Sequence, residues 1–464
     1  MKRVHLIGIG GTGMSAIAVV LLEKGYQVSG SDLNASPYFK LVSKRGARVI
    51  LGHDPQLALQ ADLVVRSSAV RDDDPEVQAA RAANIPVIKR ENFLSELTWG
   101  KETLAVAGSH GKTTTTAMLI VLLDALAYAP SFILGAEIKE LGTNARWDVG
   151  RHFVVEADEY DRMFLGLSPR ISVVTNIEHD HPDCFPTPRD YLDAFVSFVN
   201  RTIPNGKSIL CGDDPGVNNL LKTSLRPDIQ LLTYGFAEGC DYRIEDYAWK
   251  DSASHFSLRR YKSHQSPQKL GDFILRLPGK HNVSNAAAAL AVVDALGGSA
   301  ADSAAALAEY TGTERRFDIV LESSGEVLIN DYGHHPTQVR ATLSAARELY
   351  PTKKLWAVWE PHTFSRTESL RKEFAQALEL ADAVLITKIY AARETDDGFS
   401  PQTIADTMQT GKACYISDYA QLVETLSRQL SGNDVVVFLS AGKGPQICAC
   451  LRENILKQNG EASA

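Results

Sequence analysis

The chain is predicted to be α/β and divided into three domains, on three observations. Near the start, an apolar strand runs into a Gly-rich turn, Gly8 to Gly13. A second strand, loop and helix, Leu104 to Thr116, reads L-A-V-A-G-S-H-G-K-T-T-T-T. From about residue 315 onward, strand–loop–helix units repeat. Short, continuously apolar strands alternating with helices mark sheets covered on both faces. The expected boundaries are 1–99, 100–314 and 315–464.

Composition narrows the function classes. At 464 residues, 44% of them hydrophobic, the chain can build several cores. Its formal net charge is -8, with both signs mixed along the sequence. That argues against a nucleic-acid partner and leaves room for small anions in a local positive pocket. Apolar runs stay short of the roughly 18 residues of a membrane span, so no membrane partner is expected. Met1-Lys2-Arg3 leads into a glycine-rich folded unit rather than a cleavable signal. Six scattered cysteines, with only a C-x-C at Cys448 and Cys450, suggest neither a disulfide framework nor a metal cluster. A cytoplasmic protein is expected.

In the first domain, Val4 to Ile9 reads as a strand, and Gly8, Gly10, Gly11, Thr12 and Gly13 form a GxGxxG turn before a helix from Met14. A second strand, Gln27 to Ser31, ends at Asp32, about 20 residues on, where a carboxylate can accept ribose hydroxyls. A nicotinamide cofactor and a nucleotide diphosphate held the same way both fit this pattern. Further strands are expected at Ala47 to Leu51, Leu63 to Ser67 and Val87 to Ile88. Ser67 and Ser68 follow a strand and can donate to phosphate.

The central domain opens on the phosphate loop. Gly108 and Gly111 remove side chains that would block a loop wrapping phosphate, and the helix start supplies N–H donors. Lys112 can reach outer phosphates, and Thr113 is placed to hold Mg²⁺. Val106 stands where GxxxxGK(S/T) has its first Gly, so the loop is a shortened version. Strands are expected at Ser131 to Leu134, Phe153 to Glu156 and Ile171 to Thr175. Two of them end in polar clusters, Glu156 to Asp161 and Asn176 to Asp183, which offer hard ligands beside phosphates. Glu156 carries more weight here than Asp158, Glu159 or Asp161. Asp241 to Asp246, His255 to Arg260 and Gly271 to Leu277 read as a small antiparallel sheet, with an exposed hairpin loop at Ser263 to Lys269. His281, Asn282 and Asn285 then precede or open an Ala-rich helix from Ala286, suited to base or ribose contacts.

In the last domain, Arg315-Arg316-Phe317 marks the boundary and offers a positive group. Strand Glu326 to Asn330 leads into Asp331-Tyr332-Gly333-His334-His335-Pro336 and a helix. Leu355 to Trp359 leads into Glu360-Pro361-His362-Thr363-Phe364-Ser365-Arg366. Asp434 to Leu439 ends in Ala441-Gly442-Lys443-Gly444, which reads as a second anion contact or a plain turn. Neither a GxSxG elbow nor a Cys beside a base is present in the sequence.

Taken in order, these stretches resemble the ATP-dependent Mur ligase family, across essentially the whole chain. The segments are His5 to Ser15, Gly30-Ser31-Asp32, Ala107 to Thr116, Glu156 to Glu159, Thr175 to Glu178, His281-Asn282-Val283, Asp331 to Thr337, and Pro361-His362 with Ser365-Arg366-Thr367. The resemblance implies a Rossmann-like first domain holding UDP-N-acetylmuramate, a P-loop ATPase-type central domain holding ATP and Mg²⁺ (or Mn²⁺), and a third domain closing with the amino acid. It leans to the branch that adds L-alanine, with features of the murein tripeptide branch. It also implies roles. Lys112, Glu156, His181, His335 and Arg366 are catalytic, and Thr113, Glu156 and His181 hold metal. Gly108, His110, Gly111, Thr114, His281, Asn282, Asn285, Arg316, Asp331 and His334 bind nucleotide or intermediate. A monomer or homodimer is expected.

Four departures from the family pattern stand out. Ser109 replaces a usual Thr and keeps the hydroxyl. Tyr160 is more typical of the tripeptide branch. Thr363 stands where Arg is common, and Ala441 to Gly444 replaces G-A-G-D. Two other classes cover less of the chain. A nicotinamide dehydrogenase accounts for Gly8 to Asp32 but not Lys112, and a non-catalytic UDP-sugar-binding module accounts for the first domain only.

Overall fold

The computed structural model describes residues 2–262, 265–323, 325–392, 394–396, 398–409 and 411–458. Ser263 and His264 of the expected hairpin loop therefore lie outside the described residues. Among those described, three sheets carry the α/β architecture.

The first sheet has the order Arg48–Leu51, Gln27–Asp32, Arg3–Ile7, Leu63–Arg66, Val87–Lys89, with every pair parallel. Strand order therefore reverses beside Arg3–Ile7, where ligands gather beyond the carboxyl ends of strands in open α/β sheets. Gly8 and Ser67 sit at that point, since Ser67 N donates to Ile7 O at 3.0 Å. Two short helices, Pro55–Ala58 and Arg90–Leu97, add to those read from periodicity.

The central sheet runs, edge to edge, Gln268–Leu275, Ala253–Arg260, Tyr242–Lys250, Gln230–Gly235, Lys207–Cys211, Ile171–Val174, Glu102–Ala107, His152–Glu156, Ser131–Ile138, Thr143–Arg146. Its middle is parallel, so the ends of Glu102–Ala107, His152–Glu156 and Ile171–Val174 share one edge. The strands expected as a small antiparallel sheet continue this one, joined to it where Tyr242 pairs in parallel with Tyr234. Lys207–Cys211 and Gln230–Gly235, which bridge the two parts, carry no pattern that marked them in the sequence.

By packing, the chain divides into two compact units. One comprises residues 1–248, 255–274 and 284–310, and the other 249–254, 275–283 and 311–464. Within the first unit, both sheets share one apolar core, from Val4 and Ile17 to Phe153 and Phe198. The helix Thr12–Glu23 lies on Ser131–Ile138 and Thr143–Arg146. Trp147 fastens that contact: Lys24 and Lys101 each place an ammonium 4.2 Å from its ring, and its amide donates to Glu23.

The second unit is built on a sheet ordered Asp318–Glu322, Glu326–Asp331, Asp434–Ser440, Lys354–Glu360, Ala383–Ile386, Ala413–Tyr415. Its first pair is antiparallel with a bulge, and the others are parallel. Each face has its own apolar layer, one around Trp359 and Phe374, the other around Trp356 and Phe438. Among the described residues no helix is long and apolar enough to cross a membrane.

Candidate nucleotide and ligation site

The phosphate loop owes its shape to two glycines. Gly108 has φ +142°, and a Cβ there would stand 2.0 Å from Thr175 Oγ1. Gly111 has φ +79°, caps the helix Lys112–Ala125, and would press a Cβ to 2.6 Å from Asn285 Oδ1. Both positions exclude side chains by backbone conformation and by space. The next strand end locks the loop in place. Ser109 N donates to Asn176 O, His110 N donates to Asn176 Oδ1 at 2.8 Å, and Thr175 Oγ1 donates to His110 O at 2.6 Å. Ser109 Oγ donates to Glu178 O at 2.8 Å, so the hydroxyl preserved at this departure has a structural task. His110 Nε2 lies 2.8 Å from Glu178 Oε2.

Lys112 Nζ donates to Gly108 O at 2.5 Å and pairs with Glu159 at 2.8 Å. Burial works against both charges. Glu159 nevertheless keeps Lys112 protonated above its usual range, and Lys112 with His181 holds Glu159 below its own. Glu159, which the sequence ranked below Glu156, is thus the buried counter-ion of the loop lysine. Glu156 faces the helix start: Thr113 Oγ1 donates to its Oε1 at 2.7 Å and Gly135 N to its Oε2 at 2.6 Å. His181, at φ +55°, sets Nε2 3.6 Å from Glu159 Oε1. Tyr160 meets the His181 ring edge-on at 5.1 Å and donates to Asp183 at 2.9 Å. Thr114 is buried in the same helix turn.

At the first sheet, Asp32 braces the glycine turn: Gly10 N donates to its Oδ2 and Asn34 N to its Oδ1, both at 2.9 Å. Gly8, at φ +84°, donates to Ser31 O, and Gly11 N to Gly8 O. Thr12 begins the helix behind Gly11, and Ser68 is half-buried in the turn after Ser67. Gly13 faces Arg90, whose Nη1 would lie 2.2 Å from a Cβ. Arg90 also approaches Asp158 Oδ2 at 3.9 Å, joining the glycine turn to the acidic strand end. Arg90 was not among the residues expected from sequence, although its place directly after a short strand was a usable signal.

The Ala-rich helix begins earlier than expected, at Lys280 instead of Ala286. Gly279, at φ +92°, makes the turn, and Asn282 Nδ2 donates back to Pro278 O at 2.7 Å, which stabilises the early start. His281, Asn282 and Asn285 therefore lie within the helix's first two turns. Asn285 stands against Gly111, while His281 and Asn282 belong to the second unit.

In that unit Asp331 accepts from Phe317 N and Gly333 N at 2.8 and 2.7 Å; burial raises its carboxyl above the usual range, with Arg316 opposing. Arg315 and Arg316 place guanidinium groups 4.8 and 4.7 Å from the Tyr332 ring. His334 meets His362 edge-on at 5.4 Å. Buried His335 caps the helix Pro336–Leu349. Buried Arg366 sets Nη1 2.7 Å from His362 Nδ1. Thr363 adopts φ +64° at the cap of Phe364–Ser369. Ala441 to Gly444 leads into the helix Gly444–Gln458, and three of its amides are taken: Gly442 N and Gly444 N donate to Ser440 Oγ, and Lys443 N to Glu360 Oε2.

The donor chemistry at Thr113 and Glu156 suits a hard divalent cation, since both offer oxygen beside the phosphate loop. Comparison with known proteins extends this picture. Residues 3–101 match the Mur ligase family catalytic domain, 106–293 the Mur ligase middle domain, and 315–442 the Mur ligase glutamate ligase domain. The chain is 41% identical to the UDP-N-acetylmuramate–L-alanine ligase of Roseiflexus sp. (strain RS-1), over 98% of this chain and 99% of that one. It is 38% identical to the same-named protein of Lawsonia intracellularis, over 97% and 99%. The solved UDP-N-acetylmuramate-alanine ligase of Thermotoga maritima superposes with a TM-score of 0.83 at 28% identity, covering 99% and 100%. A murein peptide ligase from Psychrobacter arcticus shares the fold, with a TM-score of 0.73 at 22% identity over the full length of both.

Proposed function

Because the chain belongs to the Mur ligase family, we propose that it joins L-alanine to the lactyl carboxylate of UDP-N-acetylmuramate at the expense of ATP. The observation that carries this reading is identity to an alanine-adding ligase over nearly the entire chain. The domain assignment follows: 1–99 for the UDP-sugar, 100–314 for ATP, 315–464 for the amino acid and closure.

In the first step, a lactyl carboxylate oxygen attacks the γ-phosphorus of ATP; the bond to the β-bridging oxygen breaks, giving an acyl phosphate and ADP. In the second, the deprotonated amine of L-alanine attacks the acyl carbon, and inorganic phosphate leaves as the amide forms. Lys112 and the amides around Gly111 would stabilise charge on the transferring phosphoryl group. Glu159 keeps Lys112 charged and aimed along the loop. Thr113 and Glu156 would hold Mg²⁺, which when bound draws charge from the phosphoryl oxygens. His181 supplies nitrogen, a donor that Mn²⁺ also accepts. Asn285, at the loop's edge, is positioned for the nucleotide. Gly8 to Gly13, Asp32, Ser67 and Ser68 would line the UDP-sugar site. His281, Asn282, Arg316, Asp331, His334, His335 and Arg366 would serve the intermediate, nucleotide or incoming amine, and closure would keep water from the acyl phosphate.

Phosphate release from ATP with UDP-N-acetylmuramate, measured with L-alanine, glycine, L-serine or L-Ala-γ-D-Glu-meso-diaminopimelate, tests the proposal. Release with L-alanine, lost in Lys112→Ala, is the expected result. Release with the tripeptide alone would reassign the protein to the recycling branch, and silence with every acceptor would leave a UDP-sugar-binding module.

A further inference from the structure

At the opposite edge of the central sheet, the strands begin around a cavity of about 430 Å³. Glu102, His152 and Arg170–Ile171 line it from the starts of three neighbouring parallel strands, and Lys207 from a fourth. Tyr128 and the end of the Ala-rich helix close it. The strand Glu102–Ala107 separates this cavity from the phosphate loop by five residue steps, about 17 Å at strand rise. It is therefore distinct from the nucleotide site, and what it holds does not depend on the ligase reading.

Its charge is unbalanced. Arg151, Arg170 and Lys207 line it with one carboxylate, Glu102, which pairs with Arg151 at 2.5 Å; Asp294, outside the lining, also acts on Lys207. Among the described residues Lys207 donates to a neutral acceptor, Ala295 O, and Arg170 to another, Asn205 O. His152 is 7% exposed, and its Nδ1 has no hydrogen-bond partner among the described residues. Its ring lies 5.5 Å from that of Tyr128. Burial, reinforced by Arg151 and Lys101 against Glu102, pushes His152 below its usual range. Lys207 is lowered likewise, by burial first and Arg170 next. An excess of positive charge in a cleft of ligand size calls for an anion.

We infer that this cavity is a binding site for a phosphate dianion, formed by Arg151, Arg170 and Lys207 with His152 and Tyr128 as its wall. Among the lining side chains, three cations against one carboxylate leave two net positive charges, which match a dianion. The volume also admits the body of a small phosphate ester, so inorganic phosphate and an ester are the two sources to separate.

The test uses the full-length protein with ¹⁵N-labelled histidine and saturating ADP to occupy the phosphate loop. The His152 signal, assigned with His152→Gln, is followed during titration with inorganic phosphate, glucose 6-phosphate or glucose. A saturable His152 shift with either phosphate, absent with glucose, is expected; the tighter of the two identifies the source. Arg151→Ser with Arg170→Ser should weaken it at least roughly tenfold while leaving thermal melting unchanged. No His152 shift with either phosphate would overturn the inference, as would an equal response to glucose or one that survives loss of both arginines. The wild-type titration stands even where the double variant folds poorly.

Discussion

Lys112 Nζ stands 2.8 Å from Glu159 Oε2, and that carboxylate side chain is only 1% exposed. The lysine of the phosphate loop is thus held by an acid from a different strand end, 47 residues on. Its charge has two tasks, neutralising Glu159 and meeting phosphate.

Removing one partner separates those tasks. Lys112→Ala leaves the buried carboxylate without its main counter-charge, with His181 alone beside it, and should cost up to about 3–5 kcal/mol of stability. Lys112→Met with Glu159→Gln removes both charges and should recover most of that loss. Urea unfolding reads the difference, and phosphate release should be absent in both variants. Equal stability of the two would show that the pair does not carry the burial cost.

The loop glycines make a second prediction. Gly111→Ala forces a side chain into φ +79° and against Asn285 Oδ1. Strain of about 1–3 kcal/mol is expected, with a raised KM for ATP. Asn285→Ala added to it should relieve the contact but not the backbone, so thermal stability should recover only in part. Gly108→Ala, with Thr175 Oγ1 at 2.0 Å, should be the more damaging change.

Thr113→Val retains shape and removes the hydroxyl that meets Glu156 at 2.7 Å. Loss of such an orienting contact typically costs about 10–100-fold in metal affinity or activity. The Mg²⁺ concentration for half-maximal phosphate release should rise accordingly, while protein melting without nucleotide stays near wild type. An unchanged Mg²⁺ requirement would remove Thr113 from the metal site.

Acid stability should depend on Glu76. Burial opposes its charge, but hydrogen bonds from His5, Ser31 and the Asp54 amide bring its carboxyl down from 4.5 to about 2. A group that holds its proton less tightly when folded stabilises the fold fully above its unfolded value, and that contribution fades as pH falls from 4.5 toward 2. Melting curves across that window should be steeper for wild type than for Glu76→Gln.

Features made by neighbours along the chain are legible in the amino-acid sequence alone. Gly108, Gly111 and Lys112 announce a phosphate loop because φ above zero and close backbone approach are local demands that only certain residues meet. Apolar runs locate the strands for a similar reason, since burial on both faces leaves its mark residue by residue. Pairings across the chain are not legible in this way. Which acid of Glu156 to Asp161 meets Lys112, that Asp32 takes the Gly10 amide, and that Arg90 lies over Gly13 all depend on which strands adjoin. Two strands of the central sheet are likewise hidden, because Lys207–Cys211 and Gln230–Gly235 gain their place from partners rather than from pattern. The basic cavity is the clearest case: Arg151, Arg170 and Lys207 are ordinary surface residues in sequence, and only parallel strands starting side by side bring their charges together.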